Sequence, residues 1–302
     1  MFSFQPTMEV HSKSGHEIIH GDAIDVLSRH FGNASVDLIF ADPPYNIGKV
    51  YNGKKEKWRT DAEYLDWCYT WLALCVEKLK DTGSLYVMTS TQFMPYFDIF
   101  LRERLDILSR IVWHYDSSGV QAKAYFGSLY EPILHCVKNK ALYTFNSEDI
   151  LVEARTGATR KLIDYRKTIP EVYNSKKVPG NAWYYPRVRY RMPEYEDHPT
   201  QKPEALLERI ILASSNPGEL VVDPFSGTFT TSNVAQKLGR RSCGIEIEEE
   251  YVKIGLRRLN ITEEYRGEIL SKSARSFEKH YEAHAGVAFV RSCAMEIVGN
   301  GG

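Results

Sequence analysis

Val36-Asp37-Leu38-Ile39-Phe40-Ala41 runs without a break into Asp42-Pro43-Pro44-Tyr45. The first six residues read as a buried strand, apolar apart from Asp37 and closed by a proline pair. The prolines hold the backbone in an extended turn, and Pro44 biases Pro43 away from helix. Neither proline carries an N–H, so both carbonyls are expected to be free acceptors. An acid and an aromatic ring therefore flank a rigid turn at a strand end. In an open parallel sheet, ligands gather outside the C-terminal ends of the strands.

Outward from this strand, short apolar runs alternate with longer helical patterns. From Tyr64 to Leu79 apolar side chains fall at helical spacing, and Gly83 in Lys80-Asp81-Thr82-Gly83 is expected to stop that helix. Ser84 to Met88, Ile107 to Trp113 and Pro132 to Val137 read as strands. A helix from Pro203 to Ala213 opens on a proline, a favoured first-turn residue. Then come a strand at Leu220 to Val222, a helix at Thr230 to Leu238, a strand at Ser242 to Ile245 and a helix at Glu248 to Leu259. This alternation predicts an α/β fold with a mainly parallel sheet and helices on both faces.

Two further segments carry polar groups at strand ends. Asp223-Pro224-Phe225-Ser226-Gly227-Thr228-Phe229-Thr230-Thr231 lies between a strand and a helix. A turn of small residues there lets backbone N–H groups face a ligand, and a helix N-terminus favours a carboxylate. Glu246 follows the next strand, about twenty residues after the glycine-containing turn, where an acid is placed to bind ribose hydroxyls. A capped turn and a solvated acidic run with Glu248, Glu249 and Glu250 explain the same residues without a ligand.

The 302 residues are 43% hydrophobic and 25% charged, enough apolar material for a sizeable core. The net charge of −1 says nothing for or against a polyanionic partner, so the distribution matters. Residues 146–196 break the α/β rhythm and read as an inserted, loop-rich segment. From Glu153 to Arg191 ten basic residues stand against three acidic ones, a local balance of +7, with Tyr165, Tyr173, Trp183, Tyr184, Tyr185 and Tyr190 interleaved. Basic side chains mixed with aromatics suit a nucleic-acid surface, as they also suit a solvated loop. Cys68, Cys75, Cys136, Cys243 and Cys293 show no zinc spacing and read as reduced thiols, with no metal expected. The first fifteen residues lack the apolar run of a signal peptide and no stretch matches a membrane span, so a soluble, cytoplasmic protein is expected.

The Asp-Pro-Pro-Tyr turn suits one chemistry in particular. The lone pair of an exocyclic base amine is delocalised into the ring. Acceptors that hold both N–H hydrogens draw the nitrogen toward sp³ and localise the pair. The Asp42 carboxylate and the Pro43 carbonyl can supply both, and the anionic carboxylate stabilises positive charge growing on nitrogen. Tyr45 can stack on a base swung out of a duplex. A rigid turn with a capping Asp and a core Tyr is the bland alternative.

Together these segments resemble the amino-group DNA methyltransferases of the β arrangement. There the catalytic block precedes the cofactor block, with a target-recognition segment between them. This chain reads in that order: Asp42 to Tyr45, the basic insertion, His198-Pro199-Thr200-Gln201-Lys202-Pro203, Asp223 to Thr231, then Glu246. Ser117-Ser118-Gly119-Val120-Gln121-Ala122-Lys123 and Tyr130-Glu131-Pro132-Ile133 are similar to the orphan adenine methyltransferases of enterobacteria. The resemblance covers about His16 to Ile261. It implies a Rossmann-like fold binding S-adenosylmethionine, with residues 1–145 and 197–262 as the catalytic domain, 146–196 for target recognition and 263–302 as a tail.

The resemblance implies a catalytic pocket of Asp42, Pro43, Pro44 and Tyr45. Cofactor contacts are implied for Asp22 in Gly21-Asp22-Ala23, Thr200, Lys202, Asp223, Phe225, Ser226, Gly227, Thr228, Thr230 and Glu246. Expected DNA contacts are Lys123, Arg155, Arg160, Lys161, Arg166, Lys176, Lys177, Arg187 and Arg189. The family's F-x-G-x-G is Phe225-Ser226-Gly227-Thr228-Phe229 here, with Phe229 in place of the second glycine. A bulky residue avoids a glycine-only conformation, so the loop is expected to take another path or to turn the ring outward. The implied activity is methyl transfer to adenine N6 of double-stranded DNA at a short palindrome such as ATGCAT, by a homodimer. Cytosine N4 methylation and a catalytically silent DNA-binding regulator stay open beside it. Serine more often replaces the catalytic Asp in the cytosine enzymes, which favours adenine.

Overall fold

The strand that leads into Asp42 lies at the centre of a nine-stranded sheet. In chain order its members are β1 (Glu9–Lys13), β2 (His16–His20), β3 (Val36–Ala41), β4 (Leu79–Met88), β5 (Asp106–His114), β6 (Tyr130–Val137), β7 (Ala182–Tyr184), β8 (Leu220–Asp223) and β9 (Arg241–Glu246). Across the sheet the order is β1-β2-β9-β8-β3-β4-β6-β5-β7. The run β2-β9-β8-β3-β4 is parallel throughout. β1 and β6 are antiparallel to their neighbours, and β7 is parallel to β5. The computed structural model describes residues 8–48, 50–51, 54–55, 58–116, 123–154 and 161–261. All of these lie in one compact unit, Met1–Ile261.

Among the described residues six α-helices flank the sheet: α1 (Ala23–Arg29), α2 (Asp61–Lys78), α3 (Met94–Arg102), α4 (Glu204–Ser214), α5 (Thr230–Lys237) and α6 (Glu249–Arg258). Alternation along the strands divides the core. Ile39, Ala41, Leu85 and Val87 meet Val26, Leu72 and Phe97 of α1 to α3 on one face. Leu38, Phe40, Tyr86 and Met88 meet Leu207, Ile210 and Val234 of α4 and α5 on the other. A smaller cluster seats α6 through Val252 against Ile18 and Phe229. This is the expected Rossmann-like arrangement with helices on both faces.

Local chemistry sets the helix ends. α2 begins at Thr60, whose hydroxyl accepts from the Glu63 N–H at 3.1 Å, while the Glu63 carboxylate accepts from the Arg59 N–H at 3.0 Å. This is a variant of the capping box. The helix stops at Lys78, and Leu79 is already extended. The expected stop at Gly83 is therefore displaced: Lys80 to Gly83 belong to β4. A Cβ on Gly83 would stand 2.9 Å from the Asp37 carbonyl oxygen, so the glycine serves close approach of β3.

Among its described residues, the segment 146–196 holds a short helical turn at Ser147–Ile150, the ribbons Val152–Glu153 with Lys176–Lys177 and Ile163–Asp164 with Glu171–Val172, and β7. Both flanks of this segment are built into the main α/β body. The Asn146 amide donates to the Leu212 and Ser215 carbonyls at 3.0 and 2.9 Å, and β7 extends the sheet beside β5.

Four adjacent parallel strands end at polar positions. β2 leads to Gly21-Asp22, β9 ends at Glu246, β8 at Asp223, and β3 leads to Asp42. The chain leaves β3 toward β4 and leaves β8 toward β9, in opposite directions. Such a reversal opens a crevice between two strand ends.

Candidate active site

A cavity of ≈ 400 Å³ opens over these strand ends. Asp42, Pro43, Pro44 and Tyr45 line it, as do Asp22, Thr200, Lys202, Asp223, Phe225, Ser226, Gly227, Thr228, Thr230 and Glu246. Residues from five separate parts of the sequence thus share one space.

Glu246 is the most heavily engaged acid. Its Oε2 accepts from the Gly227 N–H at 2.8 Å, and its Oε1 from the Ile247 and Glu248 N–H groups, both at 2.9 Å. Burial pushes its carboxyl up to about 7 against the pull of those three bonds. Asp223 is likewise raised to about 7, chiefly by burial. Its Oδ1 accepts from the Phe225 N–H at 3.0 Å and its Oδ2 from the Thr231 hydroxyl at 2.5 Å. The two acids thus shape the Phe225 to Thr231 turn while facing the cavity. Asp22 caps α1, its Oδ1 accepting from the Ile24 and Asp25 N–H groups.

Gly227 sits at φ +51, and a Cβ there would stand 3.2 Å from the His198 ring. The Phe229 ring does not turn outward. Phe229 takes φ +58 itself, caps α5, and is fully buried rather than turned outward. The space comes from Gly244 on β9 and Gly255 on α6, where a Cβ would lie 2.6 and 2.4 Å from the ring. Two glycines in other elements make room for the ring that replaced one.

Not both proline carbonyls are free. The Tyr64 hydroxyl donates to the Pro44 carbonyl at 2.8 Å, and no hydrogen bond reaches the Pro43 carbonyl among the described residues. Asp42 is occupied on both oxygens. The Tyr45 hydroxyl donates to its Oδ1 at 2.6 Å, and the Lys202 ammonium bonds its Oδ2. Tyr45 also lies 3.0 Å from Glu131 Oε2. Lys202, expected among the cofactor contacts, lines the cavity but directs its charge at Asp42 and at the Thr200 carbonyl, 3.1 Å away.

Motif reading missed the aromatic wall. Trp58 and Trp67 line the cavity from the start of α2, and Phe225 packs on Trp67 and Trp71 at 5.6 and 5.0 Å between ring centres. Tyr251 joins it, edge-on to His198 at 4.5 Å. Trp67 and Trp71 stand one turn apart on α2, a spacing that reads equally as core.

The expected DNA contacts are dispersed. Lys123, Lys161, Lys176 and Lys177 are exposed, while Arg155 and Arg160 lie outside the described residues, as do 117–122. Arg166 is held by both oxygens of Asp164, and Arg189 bonds Asp116 at 2.7 Å. Arg187 stands 5.3 Å over the Tyr115 ring, near enough to Lys202 to act on its charge, rather than on an outlying loop.

Burial raises the thiols of Cys68, Cys75, Cys136 and Cys243, so none of these four is a ready thiolate.

Fold and site together define a Rossmann-like α/β transferase with an acidic crevice ending in an Asp-Pro-Pro-Tyr turn. The chain belongs to the N6/N4 DNA methylase family, whose model matches residues 36–257. It is 59% identical over 255 residues to the DNA adenine methyltransferase YhdJ of Escherichia coli (strain K12), covering 84% of this chain and 86% of that one. It is 33% identical to the type II methyltransferase M.HpaI of Haemophilus parainfluenzae, covering 80% and 74%. Among solved structures, the M1.HpyAVI complex with S-adenosylmethionine superposes with a TM-score of 0.55 at 25% identity, over 80% of this chain and 98% of that one. The cytosine-N4-specific PvuII methyltransferase superposes with a TM-score of 0.64 at 19% identity, over 89% and 93%, and so shares the fold.

Proposed function

We propose that this protein transfers a methyl group from S-adenosylmethionine to N6 of a flipped-out adenine in double-stranded DNA. The observation that carries the reading is one cavity lined by the Asp42-Pro43 acceptors together with Asp223 and Glu246.

The cavity suits that methyl donor. Its volume lies in the range of small-molecule sites. Five acidic residues, Asp22, Asp42, Asp223, Glu246 and Glu248, line it, a fitting surround for a cationic molecule with ribose hydroxyls. Glu246 would take the ribose hydroxyls, and the backbone ahead of α5 would hold the carboxylate of the methionine moiety. When bound, S-adenosylmethionine supplies an electrophilic methyl group on a positively charged sulfur.

The chain's own residues prepare the amine. The Asp42 carboxylate and the Pro43 carbonyl each accept one N–H of the target, which localises the nitrogen lone pair. That pair forms the new N–C bond, and the electrons of the broken C–S bond stay with sulfur. The nitrogen then sheds one proton toward Asp42 and solvent. Tyr45 stacks on the base, and Asp42 stabilises the charge at nitrogen while it lasts.

The test uses purified protein, unmethylated DNA and methyl-labelled S-adenosylmethionine, with the digested nucleosides separated. Label is expected in N6-methyladenine and absent with Asp42→Ala. Label in N4-methylcytosine would overturn the base assignment. No label in DNA while the methyl donor binds would favour the silent regulator.

A further inference from the structure

The catalytic carboxylate is blocked in this structure by the protein's own cations and hydroxyls. Tyr45 has one hydroxyl proton and two carboxylates to give it to, Asp42 Oδ1 at 2.6 Å and Glu131 Oε2 at 3.0 Å. Lys202 bonds Asp42 Oδ2 and stands 3.7 Å from that same Glu131 oxygen. Glu131 is thus the second acceptor for both groups that occupy Asp42. It enters on β6, 86 residues from Tyr45, where β6 pairs with β5 and Trp113 lies opposite. The Asp42, Glu131 and Lys202 side chains are 14%, 16% and 8% exposed, so water cannot replace a lost partner cheaply.

The target amine must donate to Asp42, and its nitrogen becomes positive as the methyl group arrives. An ammonium fixed on the same carboxylate competes for the acceptor and repels that charge. A buried ammonium also cannot simply let go, because an unpaired buried charge is strongly unfavourable. It needs somewhere to go. Contracting its 3.7 Å separation from Glu131 to an ordinary ion-pair distance takes a shift of about one ångström.

We propose that Glu131 is a positioning residue that draws Lys202 and the Tyr45 hydroxyl off Asp42 when the target amine arrives. This rests on the transfer reaction proposed above. Glu131 touches neither reactant. It opens the acceptor that does.

Three proteins test it: wild type, Glu131→Gln, and Glu131→Gln combined with Lys202→Met. With the carboxylate removed, Asp42 is the one carboxylate left within ion-pair distance of Lys202 among the described residues, so Glu131→Gln lowers kcat by roughly 10- to 100-fold. Dissociation constants for S-adenosylmethionine and for DNA change by less than about threefold, since no binding contact is lost. Removing the ammonium as well frees Asp42, so the double variant turns over at least about fivefold faster than Glu131→Gln alone. A merely structural Glu131 would give no such rescue.

Wild-type kcat in Glu131→Gln, or a folded double variant no faster than the single one, overturns the proposal. Should Glu131→Gln fail to fold, Glu131→Asp keeps the charge on a shorter arm. It is expected to reduce kcat without changing methyl-donor binding, and an unchanged kcat there also overturns the proposal. Failure of wild type to label adenine would instead sink the underlying function.

Discussion

Asp223, buried, and Glu246, half-buried, are two carboxylates of the cavity, each pushed up to about 7 mainly by loss of water. Their ordinary values lie near 4, so between about pH 4 and 7 the folded protein holds protons that the unfolded chain has released. Stability contributed by these groups therefore falls as pH climbs through that window. A cationic methyl donor needs the ionised form, so its binding strengthens over the same range. Melting temperature without ligand is expected to drop from about pH 5 to about pH 8, and the shift produced by S-adenosylmethionine to grow. Glu246→Gln should flatten both trends in a scanning-calorimetry series. A flat wild-type profile would mean the carboxylates titrate normally.

Among the elements, the β8–α5 turn shows how one substitution is absorbed by its neighbours. A left-handed conformation costs a side-chain-bearing residue about 1–2 kcal/mol, yet Phe229 adopts it and fills the space left by Gly244 and Gly255. Phe229→Gly relieves that strain but empties a buried ring site, which for Phe→Ala costs about 3–5 kcal/mol. A net loss of about 2–3 kcal/mol is expected in denaturant titration. Gly255→Ala alone should be more damaging, because its Cβ would lie 2.4 Å from the ring. Placed in the Phe229→Gly background, the same alanine should become tolerated, since the obstacle is gone and α6 gains helix propensity. Additive effects of the two changes would mean that the ring and the glycine do not share this space.

On the whole-molecule scale, charge is unevenly spread rather than abundant. The chain carries −1 overall while Glu153 to Arg191 carries +7. Part of that excess is used internally, by Arg166 on Asp164 and Arg187 over Tyr115. Lys161, Lys176 and Lys177 remain exposed and are the better candidates for phosphate contact. Replacing all three with alanine should weaken DNA binding at low salt. The slope of log affinity against log salt should shrink by up to about 0.9 for each lost contact, with binding of S-adenosylmethionine unaffected. An unchanged slope would place the DNA on another face. Among the described residues no helix is long and apolar enough to cross a membrane.

By itself the sequence determined the alternation of strands and helices, the family motifs and the positions of Asp42, Asp223 and Glu246 at strand ends. Those features are local: periodicity, proline chemistry and turn composition act over a few residues. The rest required distant partners. Lys202 reaches Asp42 across 160 residues, and Glu131 reaches Tyr45 across 86. Tyr64 takes a proline carbonyl that looked free, and β7 joins the sheet from a segment with no strand pattern. Phe229 turns inward because two glycines lie on β9 and α6. Which groups meet in a core or a crevice depends on sheet order and packing, and neither is written in the periodicity of any one segment.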